Sequence, residues 1–239
     1  MSTLTFVRHA QASFFDEDYD RLSQLGELQA RRLGEYFVRL GEKFDSVYVG
    51  PAKRHRRSAN IVGRCMIDAG LSWPKPRVVK TLDEHAADLF LEHFAREADQ
   101  CPHELRDLAH AYRIAKSPSD IQKSFQKLFE AVVHLWVEQK VELPKVGTWD
   151  DYRGGVYQAM RMMTANRPRG SHVLAFGSTG SITVALQYVL QADEKTALHL
   201  GWRLRNCSLT RFIFSSARIT LDTFNSLSHL DDPSLITFR

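Results

Sequence analysis

Residues 4 to 11 read Leu4-Thr5-Phe6-Val7-Arg8-His9-Ala10-Gln11. The run Leu4-Thr5-Phe6-Val7 is too short for a buried helix and suits a buried strand. It breaks at an arginine followed by a histidine. In open α/β sheets ligands collect outside the carboxyl ends of the strands, which is where Arg8 and His9 fall. A guanidinium beside an imidazole at that point can capture a phosphate and attack it.

Outward from this stretch, strand and helix patterns alternate, the signature of a sheet covered on both faces. Ser23 is an N-cap for a helix with Leu33, Tyr36, Phe37 and Leu40 on its inward face, stopped by Gly41. Val47, Tyr48 and Val49 form a second strand. Gly50-Pro51 then turns into a helix with Pro51 near its first turn and Ile61, Val62, Cys65 and Met66 inward. A third strand is expected over Arg77 to Thr81. From about Glu84 to Lys140 the alternation lapses into a helical pattern, clearest at Ile121, Phe125, Leu128, Phe129, Val132 and Trp136. Such an excursion is expected to be an insertion in a single domain spanning residues 1–239, capping one end of the sheet. The spacing of Val156, Met160 and Met163 predicts a further helix, closed by Arg167-Pro168-Arg169-Gly170. His172 to Phe176 is a strand, Gly177-Ser178-Thr179-Gly180 a tight loop, and Ile182, Ala185, Leu186, Val189 and Leu190 a helix face. Leu209 to Phe214 and Ile219 to Phe224 form a closing pair of strands.

The 239 residues, 44% of them hydrophobic, suffice for a packed core. A net charge of +4, from 32 basic and 28 acidic residues, fits an anionic small-molecule substrate and calls for neither nucleic acid nor membrane. Cys65, Cys101 and Cys207 are odd in number and widely spaced, so neither a disulfide framework nor a zinc site is indicated, and a reducing compartment is expected. The N-terminus lacks the apolar stretch of a signal peptide, and no run approaches the roughly 20 apolar residues of a membrane span. These features predict a cytoplasmic protein.

Arg54 lies in the first turn of the helix after Pro51, where free N–H groups and the helix dipole favour an anion and a guanidinium adds bidentate recognition of phosphate oxygens. Lys53, Arg56 and Arg57 read as a solvated basic turn. Together, Val7-Arg8-His9-Ala10-Gln11, Leu22-Ser23-x-x-Gly26-x-x-Gln29-Ala30, Gly50-Pro51-Ala52-Lys53-Arg54 with Ser58-Ala59, Leu82-Asp83-Glu84, the late strand-loop-helix, Phe224-Asn225 and His229-Leu230 resemble the histidine phosphatase superfamily, which includes the cofactor-dependent phosphoglycerate mutases. The resemblance implies a three-layer α/β/α sandwich with a mostly parallel sheet and a helical insertion capping the pocket. It also implies a phosphorylated small-molecule substrate, and makes His9 the nucleophile that becomes phosphorylated, Arg8 and Arg54 the phosphate-binding cations, and Glu84 the acid that protonates the leaving oxygen, with Asp88 in reserve. No metal ligand cluster is visible and no cofactor is implied, so the expected activity is that of a metal-independent, histidine acid phosphatase-like phosphomonoesterase.

Two positions depart from the family pattern. Ala10 stands where glycine is usual. Ser178 stands where the resemblance implies a second histidine, so the hydroxyl can bind a phosphoryl oxygen but brings no positive charge. On this reading Ser178→His raises turnover if the loop geometry is intact and leaves it flat or lower if the loop is remodelled around Thr179 and Gly180; His55, beside Arg54, and His85, beside Glu84, could partly substitute for the second histidine, and each reads first as an ordinary surface or packing histidine. Alternatives are a phospholigand-binding protein of the same fold and a phosphomutase. A third alternative takes Ser178 as a serine-hydrolase nucleophile with Asp222 and His229, although Phe176 occupies the elbow position that needs glycine.

Overall fold

The computed structural model describes residues 1–13, 20–84, 102–140 and 147–238. Its sheet contains β1 (Ser2–Arg8), β2 (Ser46–Val49), β3 (Arg77–Val78), β4 (His172–Gly177), β5 (Leu209–Phe214) and β6 (Ile219–Ser226), in the order β3-β2-β4-β1-β5-β6. β1, β4, β2 and β3 pair in parallel, whereas β5 runs antiparallel to both β1 and β6. Strands β1 and β4 thus lie side by side with their carboxyl ends together, Arg8 opposite Gly177. Both are covered on both faces, which is why Leu4 to Val7 and Val173 to Phe176 read as continuous runs without alternation.

One face of the sheet is covered by α1 (Gln24–Leu40) and α2 (Lys53–Asp68). Leu33 and Phe37 of α1 and Val62 and Met66 of α2 pack on Val7, Val47, Val49, Leu174 and Phe176. α6 (Thr179–Leu190) packs against β1 and β6 and against α7 (Glu194–Gly201), forming the second helical layer. The second half of α5 (Trp149–Thr164) joins it, with the Tyr157 and Tyr188 rings 4.9 Å apart and Val156, Met160 and Met163 fully buried. This sandwich comprises Met1–Glu84 and Gly155–Arg239. A second compact unit, His85–Gly154, holds α3 (His103–Ile114), α4 (Pro118–Val137) and the first turns of α5. Within it Phe125 stacks on Phe129 at 5.9 Å and Trp136 meets Trp149 edge-on at 5.3 Å, so these aromatic side chains are buried core.

The caps follow local chemistry. Ser23 accepts the Gly26 N–H, and Gly41 terminates α1 in the left-handed conformation at φ 64°. Several sequence expectations shift. β3 ends at Val78, because Lys80–Leu82 coil into a 3-10 turn that drives Leu82 into the core. That turn sets the Leu82 carbonyl against Gly50 and Gly177, and so delivers Asp83 and Glu84 to the ends of β2 and β4. Pro51 precedes the N-cap Ala52 and stands outside α2. Leu40 and Leu190, in the last turns of their helices, overhang the core and are exposed. Cys65 and Cys207 are free thiols, and no helix among the described residues is long and apolar enough to cross a membrane.

α1 docks its first turn directly on the loop that follows β1. A Cβ on Gly26 would lie 2.1 Å from the Gln11 carbonyl oxygen, which itself accepts the Ser23 N–H at 3.0 Å. The obstructing atom is backbone, so Gly26→Ala must displace the segment that carries His9. We expect a stability loss of about 1–3 kcal/mol, read as a lower urea midpoint at unchanged slope. An unchanged midpoint would show that the two segments do not approach this closely.

Candidate active site

His9 is the first residue beyond β1, and its backbone is held from both sides. Its N–H donates to the Gly177 carbonyl at 2.9 Å, and its own carbonyl accepts the Cys207 N–H at 3.2 Å and Asn206 Nδ2 at 3.4 Å. The imidazole is buried, with Nδ1 2.8 Å from the Ala10 carbonyl oxygen. A carbonyl can only accept, so Nδ1 carries the proton and Nε2 presents its lone pair. Burial pushes the His9 pKa well below its ordinary 6.5, with the nearby Arg54, His55 and Arg8 acting in the same direction and the Ala10 carbonyl opposing them. The ring is therefore neutral at pH 7.

Two arginines flank it. Arg8 donates from Nη1 to the Leu204 carbonyl at 2.6 Å. Arg54, 7% exposed, donates from Nη1 to Asp20 Oδ1 at 2.8 Å. The same carboxylate accepts the Lys53 N–H at 2.7 Å and the Arg54 N–H at 3.4 Å. Ala52 offers no side-chain cap, so Asp20 satisfies the first donors of α2 from a distant point in the chain. The anion expected at this helix start is thus present in the protein itself. Ser58 ties the two motifs together, accepting the Ala10 N–H at 3.1 Å and donating to the Arg54 carbonyl at 2.8 Å. Arg56 and Arg57 are exposed, and Arg57 pairs with Glu27 at 2.6 Å, as a solvated basic turn requires.

Ser178 is the one residue between β4 and α6, fully buried, and its backbone N–H donates to Ser181 Oγ at 3.1 Å. Its hydroxyl lies 2.6 Å from His55 Nε2. His55 is fully buried, its ring centroid 5.4 Å from that of His9. His55 is therefore not a surface residue: it points inward because residues 55, 59, 62 and 66 share one face of α2, a spacing visible in the sequence. Burial holds its imidazole neutral, with Arg54 and Arg56 adding to the effect. The His55 ring thus stands beside the position at which Ser178→His would add a second imidazole. His85 and Asp88 lie outside the described residues.

Glu84 reaches the same loop, its Oε1 accepting the Gly180 N–H at 3.0 Å near the start of α6. The neighbouring Asp83, which the sequence reading passed over, carries a carboxyl pushed up by burial and restrained by the Glu84 N–H and Arg54. The serine-hydrolase arrangement is not assembled. His229 is buried beside Tyr36, ring centroids 6.0 Å apart, with its pKa lowered to about 4 chiefly by burial. Asp222 is exposed on β6, and the partner of Ser178 is His55. Among the described residues no group of three or more His, Cys, Asp or Glu side chains is arranged to hold a metal ion.

The family model of the histidine phosphatase superfamily, branch 1, matches residues 4–141. No curated protein sequence matches the chain. Among solved structures, the phosphoserine phosphatase of Entamoeba histolytica in complex with 3-phosphoglyceric acid is similar at TM-score 0.61 and 14% identity, covering 96% of this chain and all of that one. A mycobacterial glucosyl-3-phosphoglycerate phosphatase in complex with VO3 is similar at TM-score 0.62 and 18% identity, covering 94% of this chain and 99% of that one. The phosphoglycerate mutase of Bacillus anthracis str. Sterne is similar at TM-score 0.60 and 17% identity, with 96% and 95% covered. At such identities the likeness is one of fold.

Proposed function

The chain belongs to branch 1 of the histidine phosphatase superfamily, and on that premise we propose that it is a phosphomonoesterase working through a phosphohistidine on His9. The observation that carries this reading is the bond from Nδ1 of His9 to the Ala10 carbonyl, which leaves an unprotonated Nε2 on a neutral, buried ring at the end of β1. Nε2 attacks the phosphorus of a phosphorylated small molecule, and the bond to the ester oxygen breaks in line with it. Arg8 and Arg54 balance the charge on the equatorial oxygens, and Glu84 delivers a proton to the departing alkoxide. Water then cleaves the P–N bond, giving inorganic phosphate and free imidazole. With two guanidinium groups supplying positive charge, the reaction proceeds in the presence of a chelator.

The test is a rapid quench of the protein with an aryl phosphate, followed by neutral digestion and mass spectrometry. A phosphoryl group that is stable in base, lost in acid and carried on His9 is the expected result. Turnover without that adduct, or an acid-stable adduct on Ser178, overturns the mechanism. The pH profile gives a second readout. Protonation of His9 removes the attacking lone pair, and its pKa lies well below 6.5, so kcat/KM is expected to hold as pH falls through 6.5 and to drop only further into acid. A midpoint at 6.5 would place the essential base on a solvated histidine. A second reading, phospholigand binding without turnover, rests on Ser178, which brings no charge to a position where the family pattern has a histidine. It predicts tight phosphate binding with no phosphoenzyme.

A further inference from the structure

We infer that His55 and Ser178 act as one hydrogen-bond relay onto the transferring phosphoryl group: His55 Nε2–H donates to Ser178 Oγ, and the Ser178 hydroxyl donates its own proton to a phosphoryl oxygen held over His9. This rests on the phosphohistidine reading and adds to it a positioning residue, His55, and a direct donor, Ser178.

The direction of the relay is the one that leaves no N–H of His55 unpaired. His55 Nε2 and Ser178 Oγ are 2.6 Å apart, both side chains are fully buried, and the His55 ring centroid is 5.4 Å from that of His9. His55 Nδ1 is buried and makes no hydrogen bond. A neutral imidazole carries one N–H. On Nδ1 that proton would be a buried donor with no acceptor, and Ser178 would have to spend its hydroxyl proton on Nε2. On Nε2 it satisfies Ser178 Oγ and leaves the serine proton for another acceptor. Burial, Arg54 and Arg56 keep the ring neutral, so the arrangement is a donor chain and not an ion pair. A hydroxyl that accepts a strong hydrogen bond is itself a stronger donor, and both bonds lie in a buried environment where they count for more. Ser178 follows Gly177, whose carbonyl holds the His9 backbone, and opens α6, so its hydroxyl is positioned by the same two strands as the nucleophile.

Gly50 makes the arrangement sterically possible. A Cβ there would lie 2.3 Å from His55 Nδ1, so the ring occupies space that only glycine leaves at the end of β2. Ser178 is not set up as a nucleophile by this pair. A base needs Nε2 unprotonated, with the proton on Nδ1 oriented by an acceptor, and Nδ1 has none.

The test is a set of His55→Leu, Ser178→Ala, the double variant and His55→Gln, each checked by thermal melt. Turnover of an aryl phosphate is measured for each, together with the Kd of orthovanadate, which needs no turnover. Ser178→Ala is expected to lower kcat by about a hundredfold with a smaller change in KM, as for loss of one preorganised donor. His55→Leu is expected to lose most of the same factor, the double variant little more than either, and His55→Gln, whose amide still donates, to recover part of it. Vanadate affinity follows the same order. Multiplicative losses in the double variant, an unaffected Ser178→Ala or an unaffected His55→Leu overturn the relay; if His55→Leu does not fold, His55→Gln and Ser178→Ala decide it. Labelling of Ser178 by a fluorophosphonate probe overturns it in favour of a Ser-His dyad. The two levels of failure separate on His9: a phosphoenzyme on His9 with multiplicative losses sinks the relay alone, whereas turnover that survives His9→Ala sinks the underlying mechanism as well.

Discussion

His9→Ala is expected to lower kcat on an aryl phosphate by a factor on the order of 10⁴ or more, with orthovanadate still bound. On the proposed mechanism the loss is large because the imidazole carries the bond-forming atom, and removing a covalent nucleophile leaves only the binding and charge-stabilising groups. Four decades correspond to about 5.5 kcal/mol of activation free energy. Fold effects are separable, because the His9 backbone bonds to Gly177, Cys207 and Asn206 persist when the ring is removed. A thermal melt close to that of the parent, beside a collapse of kcat and disappearance of the phosphoenzyme, is the expected pattern. Activity within tenfold of the parent would assign the chemistry to another group.

The next largest effect is expected at Arg54. Arg54→Ala should raise the Kd of orthovanadate by about 30-fold or more, equivalent to about 2 kcal/mol, as for a buried charge-assisted hydrogen bond. Arg56→Ala, at an exposed position two residues farther along α2, should leave it within about twofold. Arg54→Lys retains the charge but not the planar fork, and is expected to fall between them. Isothermal titration of the three variants decides the matter. Equal weakening by Arg54→Ala and Arg56→Ala would show that the basic turn acts as a diffuse field and that Arg54 has no special seat.

The fold was legible where burial on both faces or local capping leaves an unmistakable trace. β1 and β4 are short uninterrupted apolar runs, and α1 is bracketed by Ser23 and Gly41, each doing what its side chain or its lack of one permits. The start of β3 at Arg77 was legible but its end was not, because two paired residues carry no period, and the turn that cuts the strand short is imposed by the burial of Leu82. In the candidate site, Arg8, His9 and Ser178 sit at strand ends and Arg54 at a helix start; local sequence singles out Arg8, His9 and Arg54, and the family resemblance adds Ser178. Asp20 has no local signal. It belongs to an acidic stretch with Asp16, Glu17 and Asp18, and only the tertiary path brings it to α2. His55 had a signal in its helical face and in its place beside Arg54, but nothing local shows that it meets Ser178.

The carboxylate of Asp20 has a consequence for any anion that Arg54 receives. The cation at the start of α2 carries its own counter-ion, so the resting molecule does not bear the cost of two unbalanced guanidinium groups close to a neutral, buried imidazole. On the phosphohistidine reading, a phosphate arriving there meets a guanidinium already shared with a tethered carboxylate, which holds Nη1 and leaves the fork's other N–H groups to be contested. The affinity expected for phosphate is then lower than the contacts alone suggest, because part of the cation's charge is already balanced within the chain.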